Sequence, residues 1–303
     1  MSQTAVLVSP AELEAMMKTD RVVVIDTRDA DAYAAGHIPG AVNLREIFTF
    51  LATSTAEGLA ELKGTFARHF GAIGLSGAET AVFYEDALNS GYGQSCRGYY
   101  LLTWLGYSKA KVLNGGYSAW KGAGMAGSAE AVTPVPATFP ADLKAADVML
   151  TKDDMLKALD TDTVLLDVRD IDEWIGDSSS PYGKDYAPRK GRIPGAKWLE
   201  WYRFMKPSAQ GPMIKSPDEV RAEAATAGIS TQDTVYLYCF KGARASNTLV
   251  ALREAGVRRI SVGGSLARVA LGALDRAAGQ LVAGSFGYLA DGMPGARIGS
   301  IMK

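Results

Sequence analysis

Residues 22–44 read VVVIDTRDADAYAAGHIPGAVNL, and the pattern returns as TVLLDVRDIDEW at 163–174 and GRIPGAKWL at 191–199. In each copy a short apolar run ends in Asp-x-Arg, and a Gly-x-Ile-Pro-Gly-Ala turn follows it. The second copy differs by an inserted segment, GDSSSPYGKDYAPRK at 176–190. A long pattern that occurs twice, far apart in the chain, indicates a duplicated domain and not a short-period solenoid.

Two further pairs of matching segments support the duplication. The pairs keep the same order in both halves and are 74–85 with 228–239, and 105–116 with 254–264. Between the copies lies GSAEAVTPVPATFPADLKAA, whose content of Pro, Ala and Ser is typical of an extended linker. We therefore predict a first domain, a linker, a second domain and an atypical tail, at residues 1–127, 128–145, 146–275 and 276–303.

Each copy alternates short apolar runs with longer amphipathic stretches. In the second copy a capping sequence, Ser-Pro-Asp-Glu at 216–219, starts a helical stretch, and a predicted buried strand at 233–239 follows it. A second helical stretch at 245–256 leads into another predicted strand at 258–262. This order predicts an α/β fold in which each domain is a small parallel sheet flanked by helices on both faces.

The composition argues against several classes of partner and site. Lys plus Arg number 32 and Asp plus Glu number 33, so the net charge of −1 gives no reason to expect nucleic acid or a membrane as partner. Two cysteines cannot build a disulfide scaffold, which makes the reducing cytoplasm the expected location. The two cysteines and two histidines do not occur in pairs at the spacing of zinc ligands, so we predict no metal site. The N-terminal stretch lacks the features of a signal peptide, and no apolar stretch is long enough to span a bilayer.

Cys239 stands at the end of the predicted strand 233–239, and ligand sites of parallel α/β sheets lie beyond the carboxyl ends of the strands. The short loop CFKGAR, with Gly242, can wrap backbone N–H groups around the sulfur, and the following helix directs its positive end to the same place. Lys241 and Arg244 add two positive charges. These features favour a reactive thiolate near neutral pH over the alternative, a buried structural cysteine.

Other cysteine chemistries fit the sequence less well. A cysteine protease needs a histidine base, but His37 and His69 both lie in the first domain, and His37 is interpreted as a turn residue. A dithiol enzyme needs a second cysteine near Cys239. A cysteine phosphatase places five residues between its Cys and Arg, whereas four separate Cys239 from Arg244, and the shorter loop suits a terminal sulfur better than a phosphoryl group.

The chain resembles the tandem-domain rhodaneses, the thiosulfate and 3-mercaptopyruvate sulfurtransferase family, over nearly all of residues 5–264. The motifs that carry the resemblance are DTR at 26–28, GHIPGAVNL at 36–44, LNGGYSAW at 113–120, DVR at 167–169, GRIPGA at 191–196 and the Cys239 loop. It implies two domains of one fold with the active loop only in the second, and Cys239 is indeed matched by Glu85 in the first. The first domain is then expected to pack against the second and to form a wall of its pocket.

The resemblance also implies a ping-pong mechanism without a cofactor. The Cys239 thiolate takes sulfur from a small anion such as thiosulfate, and the persulfide passes it to cyanide, a thiol or a protein cysteine. Lys241 and Arg244 would bind the anion. The predicted substrate-binding residues are Phe240, Lys241, Gly242, Ala243, Arg244 and Arg192.

Several alternatives stay open. The charged loop favours an inorganic sulfur anion, but 3-mercaptopyruvate or polysulfide remain candidate donors, and a non-catalytic persulfide carrier that serves a partner protein remains a candidate function. The insertion at 176–190 resembles one in relatives that pass sulfur to organic acceptors, including a histidine-derived imidazole. We expect a monomer or a weak dimer.

Residues around these motifs receive structural interpretations. Cys96 is interpreted as a partly buried helix residue, with a resolving thiol for Cys239 as the alternative. Asp167 and Arg169 are expected to form structural hydrogen bonds at the strand end, with a role in substrate binding as the alternative. The tryptophans 174, 198 and 201 are expected in the core or the pocket wall.

The resemblance fails after Gly264. Aromatic residues expected at Ser265 and Arg268 are missing, and the tail is rich in Ala and Gly. One hypothesis is a frameshift, because codons CTG GCA CGA GTG for residues 266–269 read one nucleotide later give Trp-His-Glu-Trp. Resequencing of the gene tests this hypothesis.

Overall fold

The computed structural model describes residues 5–48, 54–88, 90–187, 189–263, 280 and 282–287. Ser265, Arg268 and the frameshift hypothesis lie outside the described residues, as does most of the predicted tail at 276–303.

The first half forms a parallel sheet of five strands in the order β1-β5-β4-β2-β3. Its strands are β1 Leu7–Val8, β2 Val22–Asp26, β3 Val42–Asn43, β4 Thr80–Tyr84 and β5 Ala110–Leu113. Its helices are α1 Pro10–Thr19, α2 Ala30–Ala35, α3 Ala56–Ala72, α4 Gln94–Trp104 and α5 Gly116–Gly122.

Successive residues of β4 face opposite sides of this sheet, as the period of a strand requires. Ala81 and Phe83 pack in one core cluster with residues of α3 and α4. Val82 and Tyr84 pack in another cluster with residues of α1 and α5. Both faces are therefore covered by helices, which explains why the strand sequence is apolar throughout.

The second half repeats this architecture with a parallel sheet in the order β11-β10-β6-β7. Its strands are β6 Val164–Asp167, β7 Lys197–Trp198, β10 Thr234–Tyr238 and β11 Arg259–Gly263, and an antiparallel ribbon holds β8 Met205–Lys206 and β9 Met213–Ile214. Its helices are α6 Lys152–Ala158, α7 Ile171–Ile175, α8 Pro217–Thr226 and α9 Ala243–Glu254. A parallel bridge from Met149 to Val262 takes the place that β1 has beside β5. The predicted fold class, two parallel sheets flanked by helices, is confirmed.

The two halves share one hydrophobic core cluster. It joins Phe66 of α3 and Tyr100 of α4 to Val220 of α8 and Leu249 of α9. Helices α4 and α9 pack directly on each other, and a Cβ at Gly93 would lie 2.8 Å from Cβ of Asn247. Glycine at this position lets the N-terminal ends of the two helices approach closely.

The segment predicted as a linker is extended and lies along the first domain. Its residues 129–147 form no helix or strand, but the Ala137 amide donates to the Gly71 carbonyl at 2.8 Å. Phe139 is buried, with its ring 5.7 Å from that of Tyr107 and 6.0 Å from that of Phe70. The linker therefore contributes apolar packing as well as a connection.

Within the described ranges, none of the helices has both the length and the apolar character that crossing a membrane would require.

Candidate active site

The loop from Cys239 to Gly242 links the carboxyl end of β10 to the start of α9. Strand β10 ends at Tyr238, and Gly242 is the N-cap of α9 with a φ of +85°. This left-handed conformation favours glycine, so Gly242 is required for so short a connection. The sequence thus places Cys239 at a strand end and under a helix N-terminus.

The sulfur of Cys239 lies in the field of this helix. The Gly242 amide donates to Sγ at 3.1 Å, and α9 begins one residue later, so its positive end is close to the sulfur. Cys239 is 7% exposed and opens into a cavity of about 20 Å³. That volume holds roughly one water, so a donor reaches the sulfur when a lining side chain moves. The lining residues are Tyr92, Pro181, Tyr182, Cys239, Phe240, Lys241, Ala243 and Arg244.

Arg244 is held by acidic partners inside the protein. Its Nη1 lies 2.5 Å from Oε2 of Glu173 and 3.0 Å from Oδ2 of Asp170, and Nη2 donates to Glu173 Oε1 at 3.1 Å. Burial alone would lower the pKa of Arg244, but the hydrogen bonds that it donates to Glu173 and the charge of Cys239 raise the pKa above its usual value. Arg244 therefore lines the cavity as a fixed cation, although the sequence suggested a side chain free to bind an anion.

The acidic partners of Arg244 also form the one candidate cation site found among the described residues. It consists of Asp170, Asp172 and Glu173. Two of the three carboxylates bind Arg244, so the group is already neutralised in part by the protein itself.

Aromatic rings from the inserted segment cover the cysteine loop. The Phe240 ring lies 5.8 Å from that of Tyr182 and 5.7 Å from that of Tyr186, and the two tyrosine rings are 5.6 Å apart. Lys241 places Nζ 3.9 Å above the ring of Tyr182. Tyr182 is 49% exposed and lines the cavity, whereas Tyr186 is 57% exposed and contacts the ring of Phe240. The insertion is visible in the sequence, but no pattern in it singles out these tyrosines.

Arg192 is exposed and lies outside the residues that line this cavity. Its guanidinium carbon is 4.3 Å from the ring centre of Trp174, and Nη1 donates to the Trp174 carbonyl at 3.2 Å. The Trp174 ring in turn stacks on Trp198 at 6.0 Å. The structure gives Arg192 a stacking role, and its predicted contact with substrate finds no support in this geometry.

The Asp-x-Arg motifs have the structural role expected from the sequence. Arg169 Nη2 binds Asp167 at 2.5 Å and donates to the Gly191 carbonyl at 2.8 Å. Arg28 makes the same pair of contacts in the first domain, with Asp26 and the Gly36 carbonyl. In both domains the motif ties the strand end to the Gly-x-Ile-Pro-Gly turn.

The first domain contributes two residues to the site that the sequence analysis missed. Tyr92 lines the cavity from a left-handed conformation with a φ of +56°, and its ring lies 5.9 Å from that of Trp201. Arg97 of α4 donates from Nη1 to the Lys241 carbonyl. Both contacts cross between the domains, so no local signal in the sequence could identify them.

Glu85 occupies the position in the first domain that Cys239 occupies in the second. It follows β4 directly, and its Oε2 accepts from the amides of Gln94 at 2.7 Å and Ser95 at 3.4 Å at the start of α4. The carboxyl is buried, and burial raises the pKa of Glu85 well above its usual value. The end of a strand and the N-terminus of a helix thus hold a carboxyl of raised pKa here and a thiol in the second domain.

The raised pKa of Glu85 gives the stability a pH dependence that can be measured. Above about pH 4.5 the unfolded chain loses this proton while the folded protein keeps it, so the free energy of unfolding falls by up to about 1.4 kcal/mol per pH unit. The fall continues until the carboxyl ionises in the folded state. We expect Glu85→Gln to remove this contribution, so that its stability relative to wild type rises from pH 5 to pH 7 in urea unfolding.

The matched control for this experiment is Glu219→Gln. The hydrogen bond from Lys206 lowers the pKa of Glu219 to about 2, so this carboxyl is ionised in both states from pH 5 to pH 7. Its substitution should shift the stability equally at each pH. A constant difference for Glu85→Gln as well would contradict the buried, protonated state of Glu85.

Cys96 lies within α4, is fully buried and has Asn247 Nδ2 3.8 Å from its sulfur. Burial and the neighbouring Glu85 raise the pKa of the Cys96 thiol well above its usual value. Both features disfavour the thiolate and support the interpretation as a helix residue over that of a resolving thiol.

Comparison with known proteins supplies the context for this geometry. The model of the Rhodanese-like domain family matches residues 9–123 and 151–265, one match in each half. A thiosulfate sulfurtransferase of Azotobacter vinelandii is 28% identical over 256 residues, which is 84% of this chain and 89% of that protein. The sulfur carrier protein TtuD of Thermus thermophilus is 26% identical over 255 residues, covering 82% of this chain and 87% of the relative.

Solved structures resemble the whole two-domain arrangement. An anaerobic ergothioneine biosynthesis enzyme from Chlorobium limicola, in complex with its natural substrate trimethyl histidine, aligns with a TM-score of 0.72 and 25% identity over 86% of this chain and 67% of that chain. SseA of Escherichia coli, described as a 3-mercaptopyruvate sulfotransferase, aligns with a TM-score of 0.70 and 21% identity over 86% of this chain and 99% of its own. The latter likeness supports the fold alone.

Proposed function

The chain belongs to the rhodanese-like domain family, with one domain in each half, and on that premise we propose that it is a sulfurtransferase that carries sulfur on Cys239. The observation that carries the proposal is the environment of this sulfur. Cys239 directly follows β10, accepts a hydrogen bond from the Gly242 amide at 3.1 Å and lies close to the N-terminus of α9. An amide and a helix N-terminus stabilise a thiolate, and they would stabilise a persulfide anion in the same way.

The first half-reaction loads the enzyme. The Cys239 thiolate attacks the outer sulfur of a donor such as thiosulfate, a new sulfur–sulfur bond forms, and the donor's own sulfur–sulfur bond breaks. Sulfite leaves with the electron pair of the broken bond. The second half-reaction unloads it: cyanide, a thiol or a protein cysteine attacks the terminal sulfur, and the Cys239 thiolate is the leaving group.

Lys241 and Arg244 are the cations that line this cavity, and they differ in the contacts that hold them. The charge of Arg244 is balanced by Glu173 and Asp170, whereas the Lys241 ammonium rests over the Tyr182 ring at the edge of the cavity. A dianion such as thiosulfate can draw this ammonium from the ring, because the direct charge interaction is stronger than the contact with an exposed ring. We therefore propose that movement of Lys241 both opens the cavity and binds the donor.

Mass spectrometry of the intact protein tests the function and compares the donors. After treatment with thiosulfate, polysulfide or 3-mercaptopyruvate, we expect the peptide with Cys239 to gain one sulfur and to lose it again on addition of cyanide. The Cys96 peptide of the same sample is the internal control and should stay unmodified. If no donor adds sulfur to Cys239, the proposal fails.

A persulfide carrier for a partner protein is the alternative that TtuD supports, since that relative is described as a sulfur carrier protein. The same experiment separates the two functions. Continuous turnover of a small donor with cyanide supports the enzyme, whereas loading without such turnover supports the carrier.

The aromatic rings at the cavity favour a second candidate function, transfer of sulfur to a cationic organic acceptor. Tyr182, Tyr186 and Phe240 lie within 5.8 Å of one another, and the ring of Tyr182 already accepts the Lys241 ammonium on its face. Aromatic faces bind quaternary ammonium groups in the same manner. The Chlorobium enzyme, whose natural substrate is trimethyl histidine, is a structural relative with such an acceptor.

For this candidate we expect Tyr182→Ala to reduce kcat/KM for trimethyl histidine about tenfold, because a ring face for the ammonium is lost. The reaction with cyanide, which carries no cation, should change much less and serves as the reaction control. Tyr202→Ala removes another half-exposed tyrosine outside the cavity and is the matched variant. Wild-type protein that transfers no sulfur to trimethyl histidine would rule this candidate out.

A further inference from the structure

Arg97 belongs to the domain without a nucleophile, yet it reaches the cysteine loop of the other domain. It lies in the first turns of α4, is 1% exposed and donates from Nη1 to the Lys241 carbonyl. The close approach of α4 and α9 makes this reach possible, because a side chain at Gly93 would collide with Asn247 and with the Ala243 carbonyl.

The carbonyl that Arg97 binds belongs to the same peptide group as the amide that binds the sulfur. The Lys241 carbonyl and the Gly242 N–H belong to one peptide group, and in a planar trans peptide the C=O and N–H bonds point in opposite directions. Arg97 therefore holds one end of the group while the other end donates to Cys239 Sγ at 3.1 Å. A cation on the carbonyl also polarises the amide and strengthens its donated hydrogen bond.

We propose that Arg97 is a positioning residue for Cys239: it fixes the peptide between Lys241 and Gly242 so that the amide faces the sulfur, and its buried charge favours the thiolate. The proposal rests on the proposed function only in taking Cys239 as the reacting group. The domain that lacks a nucleophile thus completes the active-site loop of the other domain.

The electrostatic surroundings agree with this geometry. Burial lowers the pKa of Arg97 to about 10, while the charge of Cys239 acts in the opposite direction, so Arg97 stays a cation at neutral pH. The titratable and charged groups that face Cys239 are Arg97 and Tyr100 from α4, Tyr182 from the insertion, Lys241 from its own loop and Arg244 from α9. Arg244 is bound by Glu173 and Asp170. Arg97, in contrast, is a buried cation that donates a hydrogen bond to the cysteine loop itself.

The test is the rate at which iodoacetamide alkylates Cys239 in the full chain between pH 5 and pH 10, with peptide mapping to identify the site. We expect Arg97→Met to lower this rate about tenfold at pH 7 and to move the profile to higher pH. Arg97→Lys should recover part of the loss, because it keeps a charge but not the planar donor group. Should Arg97→Met not fold, Arg97→Lys decides the question, since even this variant should show a displaced profile.

Arg253→Met is the matched control. Arg253 also connects the domains, with Nη1 2.9 Å from the Tyr99 hydroxyl, but it lies at the far end of α9 from Cys239. Its substitution should leave the profile unchanged. A folded Arg97→Met protein with the wild-type profile overturns the positioning role.

The outcome is separable from that of the proposed function, because alkylation needs no sulfur transfer. If the pH profile of alkylation depends on Arg97 but the protein takes up no sulfur, only the proposed sulfurtransferase function is refuted. If sulfur transfer is normal and the Arg97→Met profile is unchanged, only the positioning role of Arg97 is refuted.

Discussion

Replacement of Cys239 by serine is expected to reduce sulfur transfer by about 10⁴-fold or more, because the nucleophile takes part in both half-reactions. A hydroxyl in the same place keeps the volume and the hydrogen bond from Gly242 but does not form a persulfide. The measurement is steady-state formation of thiocyanate from thiosulfate and cyanide, together with the mass of the protein after treatment with the donor.

Cys96→Ser is the matched control for this substitution, since it removes the other thiol of the chain. Because Cys96 is buried within α4 and packed near Asn247, its variant should keep the mass gain on Cys239 and most of the turnover. Turnover that survives in Cys239→Ser but disappears in Cys96→Ser would place the chemistry on the wrong sulfur and refute the proposed function.

The second large effect is expected for Glu173→Ala. Glu173 is fully buried and makes two hydrogen bonds to Arg244, so its removal leaves a buried guanidinium with the partly exposed Asp170 as its carboxylate partner. We expect the free energy of unfolding to fall by about 3 kcal/mol, as measured by urea denaturation. Sulfur loading should fall as well, because Arg244 stands in the first turn of α9 beside Cys239.

Two further variants separate the structural effect of this ion pair from its effect on the site. Glu219→Ala breaks an exposed pair with Lys206 and should change the stability far less. The double variant Glu173→Leu with Arg244→Met replaces the buried pair by apolar groups and should regain most of the lost stability while loading stays slow. A double variant that loads sulfur at the wild-type rate would show that Arg244 has no part in the reaction.

The fold could be predicted from the sequence because its determinants are local and repeated. Three or four apolar residues in a row, followed by Asp-x-Arg and the Gly-x-Ile-Pro-Gly turn, specify a buried parallel strand, and β2 and β6 begin at or next to the predicted positions. The structure agrees with the predicted match of Glu85 to Cys239, because Glu85 directly follows β4 and Cys239 directly follows β10. Where the packing of distant segments mattered, as for Phe139 in the linker, the sequence indicated only an extended chain.

The sequence by itself determined the two α/β domains, the place of Cys239 at a strand end and the need for Gly242 before α9. It did so because burial patterns and backbone conformation act over a few residues at a time. Only the tertiary structure decided which groups face the sulfur: Glu173 lies 71 residues from Arg244, and Arg97 lies 144 residues from Lys241. These contacts depend on how α4 packs against α9 and how the insertion folds over the loop. Formal charge near Cys239 in the sequence therefore did not reveal that Arg244 is bound by Glu173 and Asp170 within the protein.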